Sequence, residues 1–272
     1  MTSFRTNVTR YTVYDDKKAN ELLIQLRADN DFFGGYVPRD FDREPFGAYA
    51  APYGEPLIDR SEWAERAEVA EVGRATPEHL ASFAHVPILN QGERPYCWCY
   101  GAVGAMMTAY AVAGLSVPHL SATSAAAKIK QYRDVGGWAG EAIAGIEKYG
   151  VSTLDYWPEA ALDRKYDTAE QRKNAKLHAA AEFSELPSQN FDAVASALLH
   201  GFPVTLGLAW WGHLVYATKL VVLGRGSFGV LIRNSWGDKW ETRGATVLTE
   251  SRATPHEAFA IRSVTKYDAP KP

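Results

Sequence analysis

The sequence holds two cysteines, Cys97 and Cys99, one residue apart in "NQGERPYCWCYG" (90–101). Residues at i and i+2 cannot reach ordinary disulfide geometry without severe backbone strain, so no internal disulfide is expected. A thiol becomes a nucleophile when the positive end of a helix and a nearby imidazole lower its pKa. Cys97 opens a run of apolar and small residues ending at Ala113. The run is too long for a strand and rich in Ala and Met, so it reads as a buried helix starting at Cys97 and closed by Gly114. Gln91, six residues earlier, is placed to fold back and donate its amide to an oxyanion together with the Cys97 N–H. Seven histidines compete for the role of base: His79, His85, His119, His178, His200, His213 and His256. His213 stands out because it begins a β-rich segment after Gly212, with Asn234 21 residues later in "RNSWG". An Asn carbonyl holds an imidazole N–H without burying another charge, and Trp236 would keep water off that bond. Cys99 has no such company and is expected in the core. A metal clip would want further Cys or His at ligand spacing, and none is close, so neither a metal nor a cofactor is expected.

The elements that must position these residues fall into two halves. "NELLIQLRA" (20–28) predicts a short helix capped by Asn20, and "RSEWAERAEVAEV" (60–72) a second one capped by Ser61. Thr76 with Pro77 marks another helix start. Further helices are expected over 120–134, over 138–150 with Gly150 as stop, over about 167–182 with Asp167 and Glu170 as a capping box, and over 191–200. After Gly201 the character changes: "FPVTLGLAW", "HLVYATKLVVLG", "FGVLIRNSW" and "GATVLTE" are β-rich runs separated by Gly-containing turns. Helices first and strands later predict an α+β fold of two packed lobes. Between 31 and 58 the chain carries four Gly, four Pro and seven Phe or Tyr. That mix breaks helices yet supplies aromatic anchors, so the segment reads as an arm docked on a surface. The expected organisation is an N-terminal extension or docking arm (1–58), a main domain (59–265) and a C-terminal tail (266–272).

At 272 residues, 46% hydrophobic and 22% charged, the chain is long enough to bury a full core. Its 29 basic and 32 acidic residues are interspersed, with a net charge of −3, so no basic face for nucleic acid or an anionic membrane is announced. No window resembles a signal peptide or a membrane span. With no disulfide framework either, a cytoplasmic or virion-associated location is expected.

The ordered motifs resemble the papain family of cysteine peptidases over about two-thirds of the chain. "VPILNQG" followed by "CW" resembles the family's lead-in to its nucleophile, "HLS" (119–121) a following helix start, and "GGW" (136–138) the glycine pair that hydrogen-bonds an extended substrate. "GH" at 212–213 and "NSWG" at 234–237 complete the set. The resemblance implies a two-lobed fold, a helical lobe and an antiparallel β lobe with the active site in the cleft between them. It implies Cys97 as nucleophile, His213 as base, Asn234 as its orienter and Gln91 as oxyanion donor. Gly136, Gly137, Trp138 and Trp236 would form the substrate side, with Trp138 lining a shallow apolar specificity pocket. Peptide or protein substrates follow. The chain departs from the family in lacking its disulfide cysteines, as in compact prokaryotic or phage-like variants, and in having almost no loop between "FPVTLGLAW" and His213.

Two further readings concern the arm, which is unlike the family's helical prosegment. One makes the protein a structural component of a phage particle or other assembly, with the arm contacting an assembly partner. The other makes residues 1 to about 80 an inhibitory segment over the cleft, so that a cut near 75–85 would raise activity.

Overall fold

The fold is known from a computed structural model, which describes residues 10–28, 34–224 and 226–264. The expected tail, 266–272, lies outside the described residues.

The helices among the described residues are α1 (Asp16–Ala28), α2 (Arg60–Val72), α3 (Pro77–Phe83), α4 (Cys97–Val112), α5 (Ala122–Ile129), α6 (Ala139–Tyr149), α7 (Ala169–Lys176), α8 (Phe191–Leu199) and α9 (Glu250–Ala253). The strands among them are β1 (Val13–Tyr14), β2 (Ala51–Pro52), β3 (Ala180–Leu186), β4 (Val204–Leu208), β5 (His213–Gly224), β6 (Ser227–Arg233), β7 (Ala245–Thr249) and β8 (Glu257–Val264). They form one sheet in the order β1-β7-β6-β5-β4-β8-β3-β2. The central pairings are antiparallel, as expected for the β lobe, but β1 pairs with β7 and β2 with β3 in parallel. The arm therefore covers both edges of the sheet, which would otherwise present unpaired backbone groups.

Alternation along the strands builds a core on each face. Leu214 and Tyr216 of β5, and Phe259 and Ile261 of β8, join the core made with α4, α5 and α6. Their neighbours Val215, Ala217, Ala258 and Ala260 point the other way, into a core completed by α8 and Trp63 of α2.

Several element boundaries differ from the sequence expectations. Helix α1 begins at Asp16, not at Asn20, because Asp15 caps it: the Lys18 N–H donates to Asp15 Oδ1 at 2.9 Å. Helix α2 is capped by Asp59, whose Oδ1 accepts from the Ser61 N–H at 2.8 Å, rather than by Ser61. The predicted helix over 167–182 splits. Thr168 caps α7, accepting from the Gln171 N–H at 3.1 Å, and 180–186 becomes β3 because β8 and β2 offer it partners on both sides. Pairing there outweighs the helical propensity of "AAEFSEL".

Candidate active site

Helix α4 is buried along 15 of its 16 residues. It lies against β5 through Gly101 and Gly104: a Cβ at Gly104 would come within 2.9 Å of Tyr216 Cζ, and one at Gly101 would collide with the Leu214 side chain. This close approach sets Cys97, the first residue of α4, beside the start of β5. The N–H groups of Leu214, Trp98 and Tyr36 point at the Cys97 sulfur. Cys99 faces the core, its Sγ 3.3 Å from the Ala122 carbonyl oxygen.

His213 opens β5 after Gly212, whose φ of +63° turns the chain. Its Nε2 lies 2.7 Å from Asn234 Oδ1. The same oxygen accepts the Ser235 N–H at 2.7 Å. An amide N–H can only donate, so Oδ1 is the acceptor in both bonds and Nε2 of His213 carries a proton. The neutral imidazole then has its lone pair at Nδ1, which is buried and has no hydrogen-bond partner. Trp211 and Trp236 pack on the ring at 4.9 and 4.7 Å between centroids, so Trp236 sits over the base and shields it.

Gln91 is fully buried. Its Nε2 donates to the Arg94 carbonyl at 2.7 Å, and its Oε1 accepts from Ser235 Oγ at 2.5 Å. Ser235 thus ties the Gln91 loop to the Asn234 loop, a link that "NSWG" alone did not show. Cys97 heads a helix whose first N–H groups have no intrahelical acceptor, so backbone donors gather at its start.

The substrate-side glycines are engaged by the chain itself. Residues 35–37 run between Gly137 and Gly212: Val37 N–H donates to the Gly137 carbonyl at 2.8 Å, Gly137 N–H to the Gly35 carbonyl at 2.8 Å, and Tyr36 N–H to the Gly212 carbonyl at 3.2 Å. Tyr36 and Gly137 form a parallel bridge. A Cβ on Gly136 would stand 2.5 Å from the Gly35 carbonyl oxygen, so glycine there admits the strand. Trp138 joins the same packed cluster as Tyr36 and its indole N–H donates to Tyr49 Oη at 3.2 Å. Gly207 leaves room for the Tyr36 ring: a Cβ there would be 2.5 Å from Tyr36 Cζ.

With the arm in place Cys97 and His213 are both fully buried. Burial penalises the charged form of each, so the thiol is pushed up to about 12 and the imidazole is held down to about 4. The pair is neutral in this state. Among the described residues of the 1–80 segment, 34–37 lie in the cleft. Trp63 of α2 is completely buried and α3 packs on α4, so 60–83 is part of the domain body.

No family model matches the chain. It is 23% identical over 245 residues to a probable cysteine protease, RD21B, of Arabidopsis thaliana, a match that covers 82% of this chain and 49% of that protein. The chain spans less than half the length of the curated relatives it matches. Among solved structures, xylellain, a cysteine protease from Xylella fastidiosa, superposes with a TM-score of 0.61 at 16% identity, covering 85% of this chain and 96% of that one. Digestive procathepsin L 3 from the larval midgut of Tenebrio molitor gives 0.57 at 17% identity, covering 89% and 88%. The chain has the papain-like α+β fold. In sequence and architecture it is similar to the papain-type cysteine peptidases.

Proposed function

We propose that this protein is a cysteine peptidase in which Cys97 attacks a peptide carbonyl, and that with the arm in place it is held latent by residues 34–37. The observation that carries the reading is the proton arrangement at His213: Nε2–H is fixed on Asn234, leaving a buried lone pair at Nδ1, and the next residue, Leu214, lies against the Cys97 sulfur. His213 Nδ1 takes the thiol proton, and the sulfur adds to the carbonyl carbon. The Cys97 and Gln91 amides receive the oxyanion, and the imidazolium returns the proton to the leaving amine. Water, deprotonated by the same nitrogen, clears the acyl enzyme.

Latency rests on which peptide groups the arm presents. The Gly35–Tyr36 peptide gives its N–H to the Gly212 carbonyl at 3.2 Å and its carbonyl to the Gly137 amide at 2.8 Å. Both groups are committed to the walls of the cleft, so the arm fills the site without presenting its carbonyl to an oxyanion donor beside Cys97. The relatives and neighbours above are described as cysteine proteases or a procathepsin, which favours this reading over a structural component of a particle, and the arm's contacts in the cleft are made within the chain.

The test is turnover of a peptide library by the full chain and by Tyr36→Ala. Tyr36→Ala should cleave at least ~10-fold faster, in line with unmasking a buried site, and Cys97→Ala in either background should cleave nothing. Cleavage surviving Cys97→Ala would refute the assignment. Equal rates with and without Tyr36 would refute latency.

A further inference from the structure

A cavity of about 360 Å³ forms where α5 and α6 end against α7 and the short turn Arg164–Tyr166. None of the residues placed around Cys97 and His213 lines it. Its lining carries five cations, Lys128, Lys148, Arg164, Arg172 and Lys176, against one carboxylate, Asp167. That carboxylate is already committed. Tyr132 Oη donates to its Oδ2 at 2.7 Å, while Lys128 Nζ and Arg172 Nη1 stand 3.3 and 3.4 Å from its Oδ1. Arg164 and Lys148 lie over the Tyr132 and Tyr149 rings, 4.6 and 4.9 Å from the centroids, and pair with no carboxylate among the described residues.

Helix ends explain part of this charge. Lys128, Lys148 and Lys176 each sit in the last turn of their helix, where a cation meets the negative end of the dipole. Three such ends carry at most about −1.5 charges and Asp167 adds one more, so the five cations remain in excess by roughly two charges. Arg172 lies in the first half of α7 and Arg164 in a three-residue turn, so neither is placed by a helix end. Lys128 is the most confined of the five. Its side chain is 8% exposed and its Nζ donates to Gln171 Oε1 at 2.5 Å. Burial, and then the charges of Arg172 and Lys176, hold its ammonium below the ordinary lysine range. An anion set among these groups would relieve that repulsion. Gln131 and Tyr132 both take left-handed backbone, with φ of +54° and +65°, at a cost that non-glycine residues rarely bear. The bend brings Tyr132 against Arg164 and onto Asp167.

We propose that this cavity binds the linked phosphate groups of an oligophosphate, supplied either as an inorganic chain or as the triphosphate of a nucleotide. The cations are set around the cavity by four separate elements, an arrangement suited to an anion that carries charge along its length. Arg164 and Arg172 supply planar forks that pair with phosphate oxygens, and the three lysines supply point charges. The volume is at the lower end of the range for small-ligand sites.

The test is calorimetry on the full chain at low ionic strength with tripolyphosphate, orthophosphate and adenosine triphosphate. No turnover is read, so the outcome is independent of the peptidase reading. Tripolyphosphate should saturate one site per chain and bind ~10-fold or more tightly than orthophosphate, the scale of one added charge-assisted hydrogen bond. Adenosine triphosphate binding at least as tightly as tripolyphosphate would assign the source to a nucleotide, and weaker binding would assign it to the inorganic chain; either supports the proposal. Arg164→Gln with Lys148→Gln, both exposed, should weaken tripolyphosphate by ~10-fold or more and leave the melting temperature without ligand unchanged. If that pair disturbs the fold, Arg172→Gln, also exposed, serves in its place. Lys17→Gln with Arg43→Gln removes the same charge from two exposed positions outside the cavity and should change the affinity less than ~3-fold. No saturable binding, equal binding of orthophosphate and tripolyphosphate, or an equal loss in the cavity and control variants would overturn the proposal.

Discussion

At the residue scale, sequence alone exposed the groups whose chemistry is distinctive and left out those whose role depends on position. Cys97, His213, Asn234 and Gln91 could be singled out because a thiol, an imidazole and two amides at separated turns have few other uses together. Tyr36, Ser235, Lys128 and Arg164 are ordinary residue types in ordinary company. Their importance arises only when separate elements meet, and no local pattern encodes that meeting. Glu257, buried at the start of β8, carries a prediction of its own. A carboxyl raised to about 7 from an unfolded value near 4.5 gives the folded state a contribution that is full below 4.5 and is lost as the pH rises through 7. Glu257→Gln removes that dependence. The melting temperature of Glu257→Gln relative to wild type should therefore rise between about pH 5 and about pH 8, the window that brackets the raised carboxyl. A difference that stays constant across that range would show that the carboxyl does not titrate there.

At the element scale, the helix around Cys97 was legible from its length and Ala content, and the strands after Gly201 from their β-branched runs and Gly turns. Boundaries were less so. Asp15 caps α1 five residues before the expected pattern and Asp59 caps α2 one residue before it, and β3 was hidden because its residues favour a helix until β8 and β2 pair with them. The positions that join elements were least visible. Gly104 sits mid-helix, where glycine costs about 0.5–1 kcal/mol relative to Ala. It is nevertheless required, since a Cβ would enter the Tyr216 ring. Gly104→Ala should lower stability in urea unfolding by ~1–3 kcal/mol, the usual scale of overpacking. A gain in stability would mean that α4 does not depend on glycine to reach β5 and that Cys97 is placed by other means.

At the scale of the whole molecule, the sequence announced two lobes and a docked arm, but not where the arm goes. Its first part supplies β1 to one edge of the sheet, its last part supplies β2 to the other, and the stretch between crosses the cleft at Tyr36. Ile58 and Tyr14 are buried in the same core as Trp63. The arm is thus both a structural clasp and an occupant of the site, and the two roles should separate. A chain starting at residue 59 would bare both edges of the sheet and open the core where Tyr14 and Ile58 sit. It should melt at least ~10 °C lower than the full chain, whereas Tyr36→Ala should keep most of the melting temperature and gain activity. If the shortened chain were as stable as the full one, the arm would be an appendage and the sheet would end at β7 and β3 without cost.

The central claim is that Cys97 is a catalytic nucleophile covered by Tyr36. The most direct measurement is labelling near neutral pH with an epoxide that reacts with activated thiols, read by mass spectrometry in the full chain, in Tyr36→Ala and in Tyr36→Ala with His213→Ala. The account predicts slow labelling of the full chain, rapid labelling of Cys97 but not Cys99 once Tyr36 is removed, and loss of that reaction when His213 is also removed. Equal, slow labelling of both cysteines in all three proteins would contradict it.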